Sequence, residues 1–326
     1  MHRGASVIAS LVVGILLLAG CTGSDRSRLN FQQQGREVPA FSADSAYAHV
    51  ETQLSFGPRN PGSEGHRRTR SWLIDKLGAY AGEHAVYAQD FTRVIDSDTL
   101  ELSNIIAAFN TSSPDRILLC AHWDTRPRAE RDSLHPDQPI PGADDGGSGT
   151  AVLLELARMF RDHPPPIGVD IVLFDGEDYG REGSLENYFL GSRYWSANPP
   201  VPEYSPRFGI LLDMVGGQNA HFPREGNSLQ YAPALVNEIW SIAGEQGHGD
   251  LFVQTEGAPV SDDHVVINRV LGIPTIDIIH YRNAEGGGVQ FPPYWHTQRD
   301  DLDIIDRSVM DAVGGVVAEL VYNRVR

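Results

Sequence analysis

From about residue 42 onward the chain alternates two kinds of apolar patterning. Segments 44–54, 64–80, 150–160, 191–197, 232–246, 263–269 and 306–322 read as helices; in the second of them Trp72, Leu73 and Leu77 fall on one side, as in an amphipathic helix. Short runs at 85–92, 102–109, 116–122, 169–174, 208–215, 251–254 and 275–280 read as strands. Segment 116–122 is continuously apolar, as expected of a strand buried on both faces. Residues 56–63 are a turn-rich loop of Gly, Pro, Asn and Ser. Strands interleaved with helices predict an α/β fold, a three-layer sandwich with a mixed, mostly parallel central sheet and helices on both faces. No linker interrupts residues 40–326, so this stretch is expected to be one α/β domain.

The N-terminus breaks the pattern. Arg3 precedes an uncharged run rich in Val, Ile and Leu that ends at Gly20, the layout of a secretory signal over residues 1–20. The run is short for a membrane span. Its ending, Leu18-Ala19-Gly20-Cys21, resembles the bacterial lipoprotein box, which implies cleavage before Cys21 and a lipid on that cysteine. Residues 21–39 are polar and are expected to tether the domain to the outer side of a membrane, the lipid being its only membrane contact. The other cysteine, Cys120, lies inside a strand and is left without a disulfide partner.

Composition adds an exclusion. The chain has 43 acidic and 26 basic side chains, a formal charge of −17, spread along its length. Nucleic acid and anionic membrane surfaces are attracted by basic patches, so neither is an expected partner.

In open α/β sheets ligands bind beyond the carboxyl ends of the strands. Here those ends read Ala121-His122-Trp123-Asp124, Asp175-Gly176-Glu177-Asp178 and Leu212-Asp213-Met214. The small-residue loop Gly142-Ala143-Asp144-Asp145-Gly146 precedes a helix, and Ser261-Asp262-Asp263-His264 and Tyr294-Trp295-His296-Thr297 come later. Histidine with carboxylate oxygen, drawn from separate loops and without cysteine, suits a catalytic zinc.

The order His122-x-Asp124, Asp144-Asp145, Glu177-Asp178, Asp213, His296 resembles the zinc-dependent exopeptidase superfamily. Phe174-Asp175-Gly176-Glu177-Asp178, Leu190-Gly191-Ser192-Arg193, Asp262-Asp263-His264 and Trp295-His296-Thr297 resemble its animal-type glutaminyl cyclase branch, over residues from about 45 to the C-terminus. The resemblance implies one zinc per chain on Asp145, Asp178 and His296. It makes Glu177 the general acid/base, places Asp213 and Asp262 in a carboxylate network beside it, and has Trp295 wall the substrate pocket. The implied reaction converts the N-terminal glutamine of peptides to pyroglutamate and releases ammonia. In the alternative reading, a two-metal aminopeptidase, His122 and Asp213 are further ligands and Asp145 bridges. A third reading is a surface lipoprotein that binds peptides without catalysis; an intact Glu177 argues against it.

The chain departs from the branch in three places. Asp178 stands where the family has Glu, Gly183 where animal cyclases have a pocket tryptophan, and Cys120 has no matching partner. Loop 126–139 is expected to be a plain surface loop. Trp123 and Tyr294 are expected to pack or form a rim, and His280 to make a structural hydrogen bond. His264, beside the carboxylate network, is a candidate for touching the site. No role is assigned to His49, His66, His84, His135, His163, His221 or His248.

Overall fold

The computed structural model describes Met1 and residues 29–325. The expected signal segment and Cys21 lie outside the described residues. Eight helices and ten strands follow in chain order among them. They are α1 (Ala43–Ser55), α2 (Glu64–Ala81), β1 (Val86–Ile95), β2 (Asp98–Phe109), β3 (Arg116–His122), α3 (Gly147–Asp162), β4 (Gly168–Phe174), α4 (Leu190–Ala197) and β5 (Gly209–Asp213). Then come β6 (Phe222–Arg224), α5 (Gly226–Tyr231), α6 (Pro233–Glu245), β7 (Phe252–Glu256), α7 (Asp263–Leu271), β8 (Thr275–Ile279), β9 (Arg282–Asn283), β10 (Val289–Gln290) and α8 (Arg307–Glu319).

The central sheet has the order β1-β2-β4-β3-β5-β8. β4, β3, β5 and β8 are parallel, whereas β1 and β2 form an antiparallel hairpin and β2 runs antiparallel to β4. The sheet is therefore mixed, with helices on both faces. Alternation along β3 shows why its sequence is apolar throughout. Ile117, Leu119 and Ala121 join the larger core, built with α1, α2, α3, α6 and α8, while Leu118 and Cys120 join a smaller one with Trp195 of α4 and Ile267 of α7. Burying each such side chain contributes roughly 1.5–3 kcal/mol. Cys120 is buried and free.

Several expectations change. The strand expected at 251–254 is β7, but it pairs with β6 in a separate two-stranded sheet. Strand periodicity reports a half-buried extended segment and says nothing of which sheet it joins. The helix expected at 306–322 is α8 up to Glu319, after which Leu320–Arg324 widens into a π turn. The expected tether, from Leu29 on, lies against the fold. Gln32 and Gln34 donate backbone N–H to the carbonyls of Arg324 and Asn323 at 3.1 and 2.8 Å, and Phe31 packs edge-on against Phe208.

The parallel strands end on one side. There β3 delivers His122, β4 the loop starting at Asp175, β5 Asp213, and β8 leads into His280.

Candidate active site

The loop before α3 carries Asp144 and Asp145. Its turn depends on Gly146, which has φ +81° and whose Cβ position would lie 2.3 Å from the Asp124 carbonyl oxygen and 3.0 Å from the His122 ring. Asp145 thereby reaches between two histidines. On one side Asp145, Asp178 and His296 offer ligand atoms all within 4.8 Å of one another, and all three are buried. His296 Nε2 lies 3.5 Å from Asp178 Oδ1 and 3.7 Å from Asp145 Oδ2. Asp145 Oδ2 and Asp178 Oδ2 are buried with no hydrogen-bond partner among the described residues. Such oxygens facing an imidazole nitrogen fit a hard or borderline divalent cation.

On the other side His122, Asp145 and Asp213 form a second group. His122 Nε2 is 3.2 Å from both Asp145 Oδ1 and Asp213 Oδ1, and Nδ1 is 3.5 Å from Asp124 Oδ1. Burial alone favours the neutral ring, but hydrogen bonds to Asp124, Asp145 and Asp213 raise its proton affinity well above the ordinary value.

A cavity of about 250 Å³ opens over both groups. Asp145, Glu177, Asp178, Asp213, Asp262 and His296 supply its polar lining, and Tyr188, Phe189, Ile279, Val289, Phe291 and Trp295 part of its apolar wall. Burial raises the Glu177 carboxyl well above its usual range; His122 opposes this, while the charges of Asp178 and Asp262 add to it. Asp213 is raised to about 6 and Asp262 to about 7, each chiefly by burial. Burial also pushes Asp178 up, but His296 and Arg126 overcome it and hold the carboxyl at about 2. Adjacent carboxyls thus differ in proton affinity because His296 and Arg126 outweigh burial at Asp178, whereas at Glu177 burial, reinforced by neighbouring carboxylates, outweighs His122.

Trp295 stacks on the His296 ring at 3.6 Å and on Phe291 at 4.3 Å. His296 adopts φ +56°, a left-handed conformation that costs about 1–3 kcal/mol for a side-chain-bearing residue. Gly183 does not line the cavity and has open space at its Cβ position, while Leu185 and Tyr188 do line it.

Loop 126–139 is more than a surface connection. Arg126, fully buried, donates Nη1 to Asp178 Oδ1 at 2.6 Å and to the Asp178 carbonyl at 3.1 Å. Arg128 caps the carbonyls of Tyr179 and Gly180, and Arg131 donates its N–H to the His296 carbonyl while its guanidinium lies 4.5 Å over Trp295. The loop ties the Asp178 segment to the His296 segment. Its Pro and charge content looks like solvated surface, and only the fold shows Arg126 turned inward.

Other residues have roles that patterning missed. Asp124 accepts the backbone N–H groups of Glu177 and Asp178 at 3.0 and 3.4 Å. His66 is buried, stacked on Trp123, and bonded through Nε2 to Asp175 at 2.9 Å; Asp175 in turn accepts from Ser103 N–H. Tyr294 is no rim residue, since its hydroxyl donates to Asp144 Oδ2 at 2.7 Å and meets His280 Nδ1 at 3.1 Å. The latter contact is a structural hydrogen bond for His280. His264 stays off the cavity; it bonds Glu225 at 3.2 Å in a buried group with Asp262 and Asp277. The remaining unassigned histidines, among them exposed His84 and His135, do not line the cavity.

A mixed sheet with histidine and carboxylate side chains gathered at its carboxyl edge defines the metal-dependent exopeptidase class. The chain belongs to peptidase family M28, whose model matches residues 104–321. Within it the chain falls in the glutaminyl cyclase branch of the zinc exopeptidase superfamily. It is 43% identical to a Bacteroides thetaiotaomicron glutaminyl cyclase solved with N-acetylhistamine, covering 88% of this chain and 99% of that one with a TM-score of 0.83. A leucine aminopeptidase precursor from the same species is 42% identical, covering 88% and 98%, with a TM-score of 0.82. The bovine glutaminyl-peptide cyclotransferase is 23% identical, over 79% of this chain and 76% of its own.

Proposed function

We propose that this chain is a zinc-dependent glutaminyl-peptide cyclotransferase acting on peptide and protein N-termini. The observation that carries the reading is a partly buried Glu177 of raised proton affinity, beside the Asp145–Asp178–His296 group and outside it, in a chain 43% identical to a glutaminyl cyclase over nearly that protein's whole length.

Asp145, Asp178 and His296 would hold the zinc, which would supply Lewis-acid polarisation of the γ-carbonyl of the N-terminal glutamine. The chain's own groups do the rest. The cavity holds the glutaminyl side chain against Trp295 and Phe291, folding the α-amine toward Cδ, so that attack within one molecule gains from proximity. As the amine nitrogen bonds to Cδ, Glu177 accepts its proton. It returns that proton to the amide nitrogen as the bond to Cδ breaks and ammonia leaves. Asp213 and Asp262 line the same cavity, and the Asp262 charge helps keep the Glu177 carboxyl ready to hold a proton.

One zinc per chain is part of the proposal. His122 Nε2 already sits at hydrogen-bond distance from both Asp145 and Asp213, which supports His122 as a group orienting Asp145. The second reading, a two-metal aminopeptidase, is favoured by that same His122–Asp145–Asp213 group and by the aminopeptidase precursor among the relatives. Purified protein assayed on glutaminyl-peptides and on aminoacyl-anilides, with zinc measured after dialysis, separates them. Cyclisation with near one zinc is expected; two zincs with release of N-terminal residues overturn the proposal. Glu177→Gln should keep its zinc and lose on the order of a hundred- to ten-thousand-fold in turnover.

We also propose that the protein is an exported lipoprotein held at the membrane by Cys21. Among the described residues no helix is long and apolar enough to cross a membrane. Cys21→Ser should release the protein from membranes; retention there would sink the lipid-anchor proposal.

A further inference from the structure

Among the charged side chains sunk completely in the protein without lining the cavity are Arg59 and Asp300. They grip opposite sides of the same loop. The Arg59 guanidinium donates Nε to the Trp123 carbonyl at 2.9 Å, Nη1 to Pro141 at 3.0 Å and Nη2 to Gly142 at 2.6 Å. Its backbone N–H is anchored in turn on Thr125 Oγ1 at 2.8 Å. From the other side Asp300 takes three consecutive amides. Its carbonyl accepts Ala143 N–H at 3.0 Å, Oδ1 accepts Asp144 N–H at 2.8 Å, and Oδ2 accepts Asp145 N–H at 3.1 Å.

From this geometry we infer that Arg59 and Asp300 are positioning residues, which clamp segment 141–145 so that the Asp145 carboxylate is set relative to His296 before an ion binds. The inference rests on the reading of Asp145 as a zinc ligand.

Three features carry it beyond ordinary packing. First, Asp300 lies in the segment that also presents His296 and is tied back by its own N–H to the Thr297 carbonyl at 3.3 Å. One short stretch of chain therefore holds one ligand and orients the backbone of another. Tyr294, at the start of that stretch, reinforces the link through Asp144. Second, the clamp demands close approach. A Cβ on Gly142 would come within 2.3 Å of Thr125 Cγ2 and 2.7 Å of the Asp145 carbonyl oxygen, and the residue has φ +66°. Third, burying a guanidinium and a carboxylate is a poor way to gain stability, because removing each charge from water costs several kcal/mol. What the arrangement supplies is order. Holding each loop residue in one conformation costs entropy, which a preformed site has already met when the ion arrives. The planar fork of arginine suits the task, since it presents several donors in fixed geometry; lysine offers one ammonium on a flexible stem.

The test uses the full-length protein stripped of metal, with Asp300→Asn and Arg59→Lys beside the wild type. Amide hydrogen exchange at residues 143–145 is read first, and zinc affinity by competition with a chelator second. Asp300→Asn should speed exchange at these amides at least about tenfold, and weaken zinc binding about ten- to a hundred-fold. Arg59→Lys should move both readouts the same way by less, and excess zinc should restore most turnover in both, because no group that touches substrate is lost. Arg116→Lys, which alters a partly buried ion pair with Asp170 elsewhere in the sheet, should lower the melting temperature and leave zinc affinity alone. Zinc affinity within about threefold of wild type in either folded variant overturns the clamp. If Asp300→Asn does not fold, Arg59→Lys decides the matter from the carbonyl side. A wild type that binds no zinc overturns the ligand assignment instead, while exchange at residues 143–145 still reports on the clamp.

Discussion

Around Asp145 two histidines are placed alike and meet different surroundings. His122 and His296 both direct Nε2 toward Asp145, and each has a second carboxylate at hand, Asp213 in one case and Asp178 in the other. On the His122 side both N···O distances are 3.2 Å, so the nitrogen is already hydrogen-bonded. On the His296 side the distances open to 3.5 and 3.7 Å, and Oδ2 of both carboxylates carries no hydrogen bond among the described residues. Charge differs too. His296 and Arg126 keep Asp178 anionic, whereas burial raises Asp213 to about 6. Identical residue types thus make one group suited to a cation and another suited to holding a proton between carboxylates. Ligand lists alone do not distinguish the two sides; the distances and the partner of the second carboxylate do.

The sharpest way to break this comparison is to remove each histidine. His296→Ala should abolish tight zinc binding and activity, while His122→Ala should retain near one zinc per chain after dialysis and lose activity through misplacement of Asp145. Equal loss of zinc in both variants, by metal analysis, would show the two sides to be equivalent.

A smaller effect comes from the arginine that sets the charge of the His296 side. Arg126→Met leaves the Asp178 carboxylate buried beside His296 without its guanidinium. Breaking a buried pair by deleting one partner typically costs about 3–5 kcal/mol, so chemical denaturation of the metal-free protein should shift by that order. An unchanged midpoint would mean that loop 126–139 is dispensable to the site.

The smallest expected effect calibrates burial away from both groups. His49, in α1 against Trp72, is held at about 4 chiefly by burial, with Lys76 and Arg158 adding to the shift. Its folded value lies below the unfolded 6.5, so its neutral form adds stability in full above pH 6.5. As pH falls from 6.5 toward 4 the unfolded chain takes up a proton that the folded one refuses, and up to roughly 3 kcal/mol is lost. His49→Gln should flatten that part of the stability–pH curve; an unchanged slope assigns it to other groups.

How much of this was legible in the chain depends on the range of the interaction that decides it. Helix and strand positions follow from local periodicity, and the five parallel or mixed-sheet segments from 102–109 to 275–280 that join the central sheet were readable for that reason. So were the strand ends at which His122, Glu177, Asp178 and Asp213 stand, because parallel strands put their carboxyl ends on one side. Periodicity does not say which strand neighbours which, so the antiparallel β1–β2 edge and the separate β6–β7 pair appear only in the fold.

The least legible residues are the buried charged ones. Arg59, Arg126 and Asp300 sit in turn-rich or polar segments that look like surface, and His66 in a helix whose other charges face solvent. Whether a charged side chain points outward or inward is settled by partners far along the chain. Arg59 meets carbonyls 64 to 83 residues away, and Asp300 meets amides 155 and 156 residues away. The sequence by itself determined which ligand types are available and that they gather at one edge of a sheet. Tertiary structure alone decided which carboxylate faces a cation, which faces other carboxylates, and which loops are held still, because burial and distance set the free energy of a charge and neither is written in local sequence.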